Sequence, residues 1–255
     1  MDYNYHTHTV HCSHATGTEE EYVLRAIEGG VKFMGFSEHI PFKEPDGTEL
    51  FYRLPMAEAK EHADEVFRLK EKYKDKIELT LGFEMEYYAP YFEGMLKNAV
   101  SLGATYLILG QHFLVPAHYT GTPTDDVEKL KMYVDWVIEG MNKGVFTYLA
   151  HPDVMHFTGD ISIYQKEMRR ICKEATKLNM PLELNLLGIR ENRHYPTPQF
   201  WEIAGEEKCS VTFGFDAHNP EAAFDEASIP VAMEMVKKYD LNYIGKPKLI
   251  NIQKL

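Results

Sequence analysis

A cluster of histidines near the N-terminus is the first feature with chemical meaning, since the segment YHTHTVHCSHA contains His6, His8, His11 and His14. In a β-strand, residues i and i+2 point to the same face, so His6 and His8 can present two imidazoles to one metal ion. Imidazole nitrogen is a ligand for zinc, iron and similar ions. Because an HxH pair is short, it indicates a metal site only together with further ligands elsewhere in the chain. His11 could belong to this cluster or could only lie beside it.

Further potential ligands recur directly after apolar segments of β-like composition. These segments are FSEHIPF with Glu38 and His39, LGFEMEY with Glu84 and Glu86, LGQHF with His112, LAHPD with His151 and Asp153, LELNL with Asn185, and FGFDAH with Asp216 and His218. Nine side chains are the candidate metal ligands: His6, His8, His14, His39, Glu84, His112, His151, Asp216 and His218. Since one tetrahedral ion takes three or four protein ligands, nine of them predict two or three divalent ions. Zinc, manganese and iron are the candidates, because the set mixes imidazole with carboxylate.

The same segments form the ends of predicted strands that alternate with amphipathic helices. The strands are predicted at 2–8, 32–38, 77–83, 106–110, 147–150, 181–186 and 210–215. The helices are predicted at 18–28, 55–73, 91–102, 125–142, 161–178, 197–206 and 220–239. Seven βα units predict a single α/β domain over residues 1–255, either a parallel barrel or an open parallel sheet. Both architectures place their chemistry at the carboxyl ends of the strands, where the nine candidates lie.

Composition limits the classes of function. The 255 residues carry a formal net charge of −12, which disfavours binding to a nucleic acid polymer or an anionic membrane and favours cations. No apolar run approaches the ~18 residues of a membrane span, and the N-terminus lacks the features of a secretory signal. The cysteines, Cys12, Cys172 and Cys209, are few and scattered, as in a reducing cytosol. A cytoplasmic protein is therefore expected, and its partner is expected to be a small metabolite.

Taken together, six segments resemble the motifs of the PHP family, named for polymerase and histidinol phosphatase. They are HTHT, SEHIPF, GFEMEY, the histidine after the fourth predicted strand, AHPD and FDAH. The motifs occur in the family's order over nearly the whole chain, and SEHIP and AHPD are similar to the histidinol-phosphatase branch. The resemblance implies a distorted seven-stranded (β/α)7 TIM-like barrel. It also implies hydrolysis of a phosphomonoester by metal-activated water, with L-histidinol phosphate of histidine biosynthesis as the substrate. No side chain beyond the metal ligands is assigned a catalytic role.

The resemblance further implies a trinuclear site in which the nine candidates divide into three sets. One ion is expected between His6, His8, Glu84 and Asp216. A second is expected between Glu84, His112 and His151, and a third between His14, His39 and His218. The residues by themselves predict only the ligand set and more than one ion.

Three further residues are candidates for binding the substrate, because the segment LNLLGIRENRHYP carries Arg190, Arg193 and His194. The planar guanidinium of arginine binds two phosphate oxygens at once. The family branch has an arginine at about this place, and Arg190 is the better match. The chain departs from the family pattern at Gln111, where a small or aliphatic residue is expected, and over residues 114–126. Both departures leave the leaving group open.

Three other functions are weighed against this one. A PHP phosphoesterase acting on nucleotides differs only in its substrate, so activity on mononucleotides would distinguish it. An amidohydrolase-type enzyme also begins with HxH, but often has a bridging lysine after strand 4, and YLILGQH contains none. A noncatalytic metal-binding module is disfavoured because every ligand position is present.

Several single residues have ordinary structural interpretations. For Glu38 the expected role is to orient an imidazole, whereas for Glu86 that role and an ordinary solvated acid both stay open. Cys12 is expected to be a buried thiol. Asp153 could be a helix N-cap or part of the site. His62 is expected to be a packed or surface residue.

Overall fold

The computed structural model describes residues 1–43, 47–114 and 118–255. Its centre is one parallel sheet in which each strand pairs with the next along the chain. The strands are β1 Tyr3–Asn4, β2 Phe33–Phe36, β3 Glu78–Met85, β4 Tyr106–Leu109, β5 Phe146–Leu149, β6 Leu182–Asn185, β7 Ser210–Gly214 and β8 Asn242–Tyr243. All seven predicted strands are present, most of them shorter than predicted.

The sheet has eight strands, so the prediction of a seven-stranded barrel is wrong in its strand number. The additional strand, β8, contains only two residues and pairs with β7 through Ser210 and Val211. Asn242 is exposed and Tyr243 is half-buried, so the strand has no apolar alternation that a sequence pattern could reveal.

The barrel is only half-closed, which is a second correction to the predicted fold. Just beyond β1 and β7, Thr7 and Ala217 form an isolated parallel bridge. In this bridge the amide of His8 donates to the Ala217 carbonyl at 2.9 Å, and the Ala217 amide donates to the His6 carbonyl at 3.2 Å. The two ends of the curled sheet therefore meet at the carboxyl edge, beside the N-terminal histidines.

Helices follow most strands and pack against the sheet. They are α1 Glu19–Glu28, α2 Ala59–Lys72, α3 Phe92–Ser101, α4 Val127–Met141, α5 Ile161–Leu178, α6 Leu186–Arg190, α7 Pro198–Glu206 and α8 Ser228–Lys238. The predicted helix 220–239 is divided into a 3₁₀ turn, Pro220–Phe224, and α8. The division falls at Asp225, whose side chain accepts from the Ser228 amide at 3.1 Å and so satisfies a donor at the start of α8. Among the described helices, none is long and apolar enough to cross a membrane.

Aromatic side chains fill the interior of the curled sheet below the site. The Tyr106 hydroxyl donates to the Tyr5 carbonyl at 2.9 Å and lies 3.2 Å from the Phe36 carbonyl as an alternative acceptor. Its ring lies directly over Gly35 and Gly82, where an added Cβ would come within 2.2 Å of it. These two glycines are therefore required by the close approach of a large ring to the sheet. Below this carboxyl end the interior is a packed core and not a pore.

Candidate metal centre

His6 and His8 lie together against two carboxylates. Nε2 of His6 is 3.4 Å from both Glu84 Oε2 and Asp216 Oδ1, and Nε2 of His8 is 3.3 Å and 3.5 Å from the same two oxygens. All four side chains are buried, and these four atoms have no hydrogen-bond partner among the described residues. Ligands bound at 2.0–2.1 Å to a tetrahedral zinc lie about 3.3 Å from one another. Buried polar atoms without partners are costly, so the four atoms fit a divalent cation between them.

Glu84 lies at the centre of the cluster and presents its two oxygens to different imidazoles. Its Oε1 is 2.8 Å from His151 Nε2 and 3.5 Å from His112 Nε2, whereas its Oε2 is 3.3 Å from His39 Nδ1. A carboxylate placed in this way can bridge two ions. The backbone of Gly110 makes room for it, since a Cβ at that position would lie 1.8 Å from Glu84 Oε1.

His14 and His218 face each other in an arrangement that requires a cation or a shared proton. Their Nε2 atoms are 3.0 Å apart. His14 Nδ1 donates to the Cys12 carbonyl at 2.6 Å and His218 Nδ1 donates to the Asp216 carbonyl at 3.1 Å, because a carbonyl oxygen only accepts. Burial lowers the pKa of His14 and lowers that of His218 to about 3, so both rings are neutral near pH 7. Two lone pairs then face each other, and a metal ion held by His14 and His218 would relieve their repulsion.

The charges around this cluster also favour cations. Burial alone would raise the pKa of Glu84, but surrounding imidazoles, foremost His112 and His6, hold it well below its ordinary value. Asp216 behaves in the same way, because His6 and His218 lower its pKa against the effect of burial. Burial lowers the pKa of His112 to about 3, although Glu84 opposes the effect. Burial would lower the pKa of His6 and His8, but neighbouring carboxylates raise both, that of His8 to about 9. Metal binding at this pair therefore displaces protons, since only the neutral imidazole binds a metal ion.

A buried carboxylate that the sequence interpretation missed orients the first of these ligands. Glu183, on β6, lies with Oε1 2.8 Å from His6 Nδ1, and its Oε2 accepts from the His151 amide at 3.1 Å. Asn185 Nδ2 donates to Glu183 at 2.9 Å and to Asp216 at 3.0 Å. The only signal in the sequence was the polar alternation of LELNL, in which Glu183 and Asn185 share a face.

Glu38 stands in the corresponding position beside His8. It accepts from the Thr9 amide at 2.5 Å and from the Thr9 hydroxyl at 2.6 Å, and its other oxygen lies 3.6 Å from His8 Nδ1. It is fully buried and therefore not a solvated acid, but 3.6 Å is too long for a hydrogen bond, so its orienting role stays a prediction.

A cavity of about 460 Å³ opens directly over the cluster. Seven of the nine proposed ligands lie at its base, and aromatic side chains form its walls. The lining residues are His8, His14, His39, Phe51, Tyr52, Glu84, His112, Phe113, Tyr119, Leu187, Arg193, Tyr195, Asp216 and His218. Tyr52 stacks on Phe113 with ring centroids 4.9 Å apart. The cavity therefore combines a polar floor with an apolar, aromatic wall, as small-molecule sites do.

Of the three residues predicted to bind substrate, Arg193 alone lines this cavity. Its guanidinium is held by Glu191 at 2.7 Å and by the Tyr195 hydroxyl at 3.1 Å. Arg190, the better match in the sequence, lies elsewhere. It pairs with Asp225 at 2.8 Å and donates to the Asp216 carbonyl at 3.2 Å, so it supports the loop that carries Asp216.

His194 also lies outside this cavity. Its Nε2 donates to the Val154 carbonyl at 2.7 Å. Its ring stacks on His156, with centroids 4.2 Å apart and an interplanar angle of 5°. The two rings line a separate, smaller cleft together with Phe157 and Tyr164.

Glu86 and Arg53 form a buried ion pair behind His112. Arg53 Nη2 is 2.6 Å from Glu86 Oε2, and both side chains are almost fully buried. The second carboxylate oxygen of Glu86 lies 4.0 Å from His112 Nδ1. Glu86 is thus not a solvated acid, and its pair with Arg53 anchors the segment that brings Tyr52 to the cavity wall.

The remaining single residues have structural partners. Cys12 is a buried thiol that donates to the Thr9 carbonyl at 3.3 Å. Asp153 accepts from the Thr197 amide at 2.5 Å and therefore supports the start of α7 without capping a helix of its own. Gln111 is buried and accepts from the Tyr87 amide at 2.9 Å. Within the unusual segment 114–126, residues 115–117 lie outside the described residues.

The fold and this cluster define a class of protein, a parallel α/β half-barrel with histidines and carboxylates gathered at the carboxyl ends of its strands. The chain belongs to the PHP domain family, whose family model matches residues 4–186. The family predicted from the motifs is thereby confirmed.

Similar proteins carry one recurring name. The Deinococcus radiodurans protein named "Probable histidinol-phosphatase" is 23% identical over 230 residues, which cover 84% of this chain and 85% of that protein. The histidinol-phosphatase of Bacillus subtilis is 24% identical over 247 residues, covering 84% and 92%. A crystal structure of histidinol phosphate phosphatase from Lactococcus lactis, complexed with zinc, L-histidinol and phosphate, matches with a TM-score of 0.71 at 18% identity over 99% of this chain and 97% of that one. The structural match extends to the whole half-barrel.

Proposed function

We propose that this chain is a metal-dependent phosphatase that hydrolyses L-histidinol phosphate to L-histidinol and phosphate. The observation that carries the proposal is the convergence of buried, unpartnered imidazole and carboxylate atoms at the floor of a cavity that also contains a single arginine. The curated relatives named above, which match most of the chain, favour histidinol phosphate over other phosphomonoesters.

The proposed metal ligands are the nine side chains described above, and their division among three ions remains part of the proposal. The strongest support concerns the first set, where two unpartnered imidazole nitrogens each lie 3.3–3.5 Å from two unpartnered carboxylate oxygens. When bound, divalent ions neutralise phosphate charge and lower the pKa of water so that it can act as a nucleophile. The protein contributes by holding Glu84 and Asp216 ionised and by placing Glu183 against His6 Nδ1, so that His6 Nε2 faces the proposed ion.

Arg193 is proposed to bind the phosphate group. Its contacts with Glu191 and the Tyr195 hydroxyl hold the guanidinium at the cavity wall, which lowers the entropy lost when it binds an anion. In the reaction, a bond forms between phosphorus and a water oxygen, and the bond from phosphorus to the alcohol oxygen breaks. The water supplies the proton that the departing alcohol takes up. Positioning and charge neutralisation supply most of the catalysis in such transfers.

The aromatic wall is proposed to hold the leaving alcohol. Aromatic rings line the cavity, among them those of Tyr52, Phe113, Tyr119 and Tyr195. Stacking on such rings suits a flat heteroaromatic group like the imidazole of histidinol. An aliphatic alcohol would gain less from the same wall.

We further propose that residues 1–255 form one PHP domain, because Arg193, Asp216 and His218 follow residue 186 and yet line the same cavity as His8 and Glu84. The three buried, unpaired cysteines fit a cytoplasmic location, where thiols stay reduced. The partner is proposed to be a small phosphorylated metabolite, without a nucleic acid polymer or a membrane.

The test compares substrates and metals on the purified protein. We expect L-histidinol phosphate to be hydrolysed with a higher kcat/KM than mononucleotides or p-nitrophenyl phosphate. Activity should disappear after chelation and return on addition of zinc, manganese or iron. Full activity of metal-free protein would contradict the proposed metal chemistry. A higher kcat/KM for a mononucleotide would instead contradict the proposed substrate.

A further inference from the structure

A second cluster of histidines and carboxylate lies outside the nine proposed ligands, beside the segment that joins β1 to α1. It consists of His11 from that segment, Glu19 at the start of α1, and His62 from α2. Glu19 Oε1 is 2.7 Å from His62 Nδ1 and 3.1 Å from His11 Nε2. The side chains of His11, Glu19 and His62 are 15%, 7% and 0% exposed.

We propose that His11, Glu19 and His62 bind a further divalent ion, for which zinc is the best fit. Two imidazoles and one carboxylate are a ligand set that zinc uses in proteins. The three ligand atoms all lie within 4.8 Å of one another. The separations of 2.7 and 3.1 Å from the shared oxygen lie close to the 2.8–3.5 Å found around Glu84. Shifts of a few tenths of an ångström would bring them to the tetrahedral separation of about 3.3 Å.

The proton positions on His11 support a cation at this place. Its Nδ1 lies 2.7 Å from Glu58 Oε2, so Nδ1 carries the proton, since an ionised carboxylate only accepts. In the neutral ring, Nε2 then directs a lone pair at Glu19 Oε1, which is repulsive unless a cation lies between them. A carboxylate that accepts from the far nitrogen of a ligating histidine is also the usual way in which proteins orient such a ligand. Glu58 thus has the position of an orienting group.

His62 can adopt the form that binding requires. It is fully buried, and its Nε2 has no hydrogen-bond partner among the described residues. No contact on that side therefore determines which ring nitrogen carries the proton, and Nδ1 is free to present its lone pair. The sequence predicts that His62 is a packed residue, which agrees with its burial. That prediction does not explain why His62 contacts Glu19.

A fourth coordination position is available to water. The cluster faces a cleft that is also lined by Thr18, which precedes α1, and by Glu61 and Asp64 of α2. An ion held here would join the β1–α1 segment to both helices. That segment also carries His14, so we expect the ion to stabilise the fold around the larger cluster. The inference does not rest on the proposed phosphatase activity, because it concerns residues that the reaction does not use.

The competing arrangement is a metal-free triad in which His11 is an imidazolium between Glu58 and Glu19. Hydrogen bonding to Glu19 raises the pKa of His11 to about 9 despite partial burial, so the triad is chemically reasonable near pH 7. The two arrangements differ in zinc content. Zinc per chain, measured by mass spectrometry after exhaustive dialysis against a weak chelator, distinguishes them.

Two variants test the site and two serve as matched controls. We expect His11→Gln and Glu19→Gln each to contain one zinc fewer per chain than the wild type. Glu61→Gln, a glutamate of the same cleft, and His156→Gln, a histidine outside both clusters, should keep the wild-type content. Equal zinc content in all five proteins overturns the proposal.

Anomalous scattering at the zinc edge gives a result that does not depend on how the variants fold. In crystals of the wild-type protein grown with zinc, we expect a peak between the side chains of His11, Glu19 and His62. Peaks confined to the cluster around Glu84 overturn the proposal. That pattern would leave the proposed phosphatase activity intact, so the two ideas can fail separately.

Discussion

Glu183 provides the sharpest test of how the protein prepares its metal ligands. It is fully buried, and each of its oxygens accepts a hydrogen bond from a donor near the site. Oε1 faces His6 Nδ1 at 2.8 Å, and Oε2 accepts from the His151 amide at 3.1 Å and from Asn185 Nδ2 at 2.9 Å. Because a carboxylate only accepts, Glu183 keeps the His6 proton on Nδ1 and leaves the Nε2 lone pair facing Glu84 and Asp216.

The substitution Glu183→Gln keeps the shape of the side chain but introduces an NH₂ group among donors. With the NH₂ next to His6, the imidazole must move its proton to Nε2, the atom that faces the proposed ion. With the NH₂ in place of Oε2, it faces the His151 amide and Asn185 Nδ2, which are donors as well, so both hydrogen bonds are lost. Removing such an orienting partner typically lowers metal affinity or activity 10–100-fold, which corresponds to about 1.4–2.7 kcal/mol.

The assay measures zinc affinity by chelator competition and kcat/KM for L-histidinol phosphate on the same preparations. Glu167→Gln is the matched control, since Glu167 is a buried glutamate of α5 that pairs with Arg170 at 2.6 Å, outside the site. We expect the control to stay within about twofold of the wild type, because Glu167 pairs with Arg170 and contacts none of the proposed ligands. Wild-type zinc affinity and kcat/KM in folded Glu183→Gln would refute the argument from the proton position on His6.

Three further predictions concern the cavity wall and the supporting network. Arg193→Ala should raise KM and the inhibition constant of inorganic phosphate about 10–100-fold in steady-state assays, since hydrogen bonds to charged groups contribute about 1.5–3 kcal/mol. Arg190→Ala, by contrast, should chiefly lower the melting temperature. Glu86→Gln should lower the free energy of unfolding in urea by about 3–5 kcal/mol, because it leaves Arg53 buried without its partner. Burial raises the pKa of Asp153 from 3.8 to about 6, so the folded protein holds this proton more tightly than the unfolded chain does. The contribution of Asp153 to the free energy of unfolding therefore falls as the pH rises from about 4 to 6. Urea unfolding of Asp153→Asn measured across that pH range should not show this fall.

Each of these predictions has a contrary outcome. An increase in KM for Arg190→Ala without one for Arg193→Ala would restore the interpretation made from the sequence. Unchanged urea stability of Glu86→Gln would mean that water reaches Arg53 in solution. A wild-type and an Asp153→Asn protein whose stabilities run parallel from pH 4 to 6 would show that Asp153 is ionised in the folded state throughout that range.

The positions of the proposed ligands could be predicted well from the sequence, although their metal binding stays a prediction. His6 and His8 follow β1, Glu84 lies in β3, and Asp216 follows β7, and parallel strands bring their carboxyl ends to one edge. The i, i+2 spacing then directs pairs of side chains to one face. These relations depend on local periodicity and on one topological rule, so they can be recognised without knowing the detailed packing.

Residues whose roles depend on packing between distant segments could not be assigned in the same way. Arg190 and Arg193 are three residues apart, and their side chains differ in direction because α6 ends between them. Glu183 resembles any polar residue in a strand until its distance to His6 is known. Arg53 lies in a segment without a motif, and its contact with Glu86 spans 33 positions.

The sequence by itself determined the family, the alternation of strands and helices, and the edge at which the chemistry is gathered, because those properties follow from residue type and short-range spacing. The tertiary structure alone decided that the sheet has an eighth strand and is half-closed, that Arg193 and not Arg190 reaches the cavity, and that His11, Glu19 and His62 meet. These are contacts between segments far apart in the chain. They depend on how the helices and loops pack, and the sum of many weak interactions that sets this packing has no local signature in the sequence.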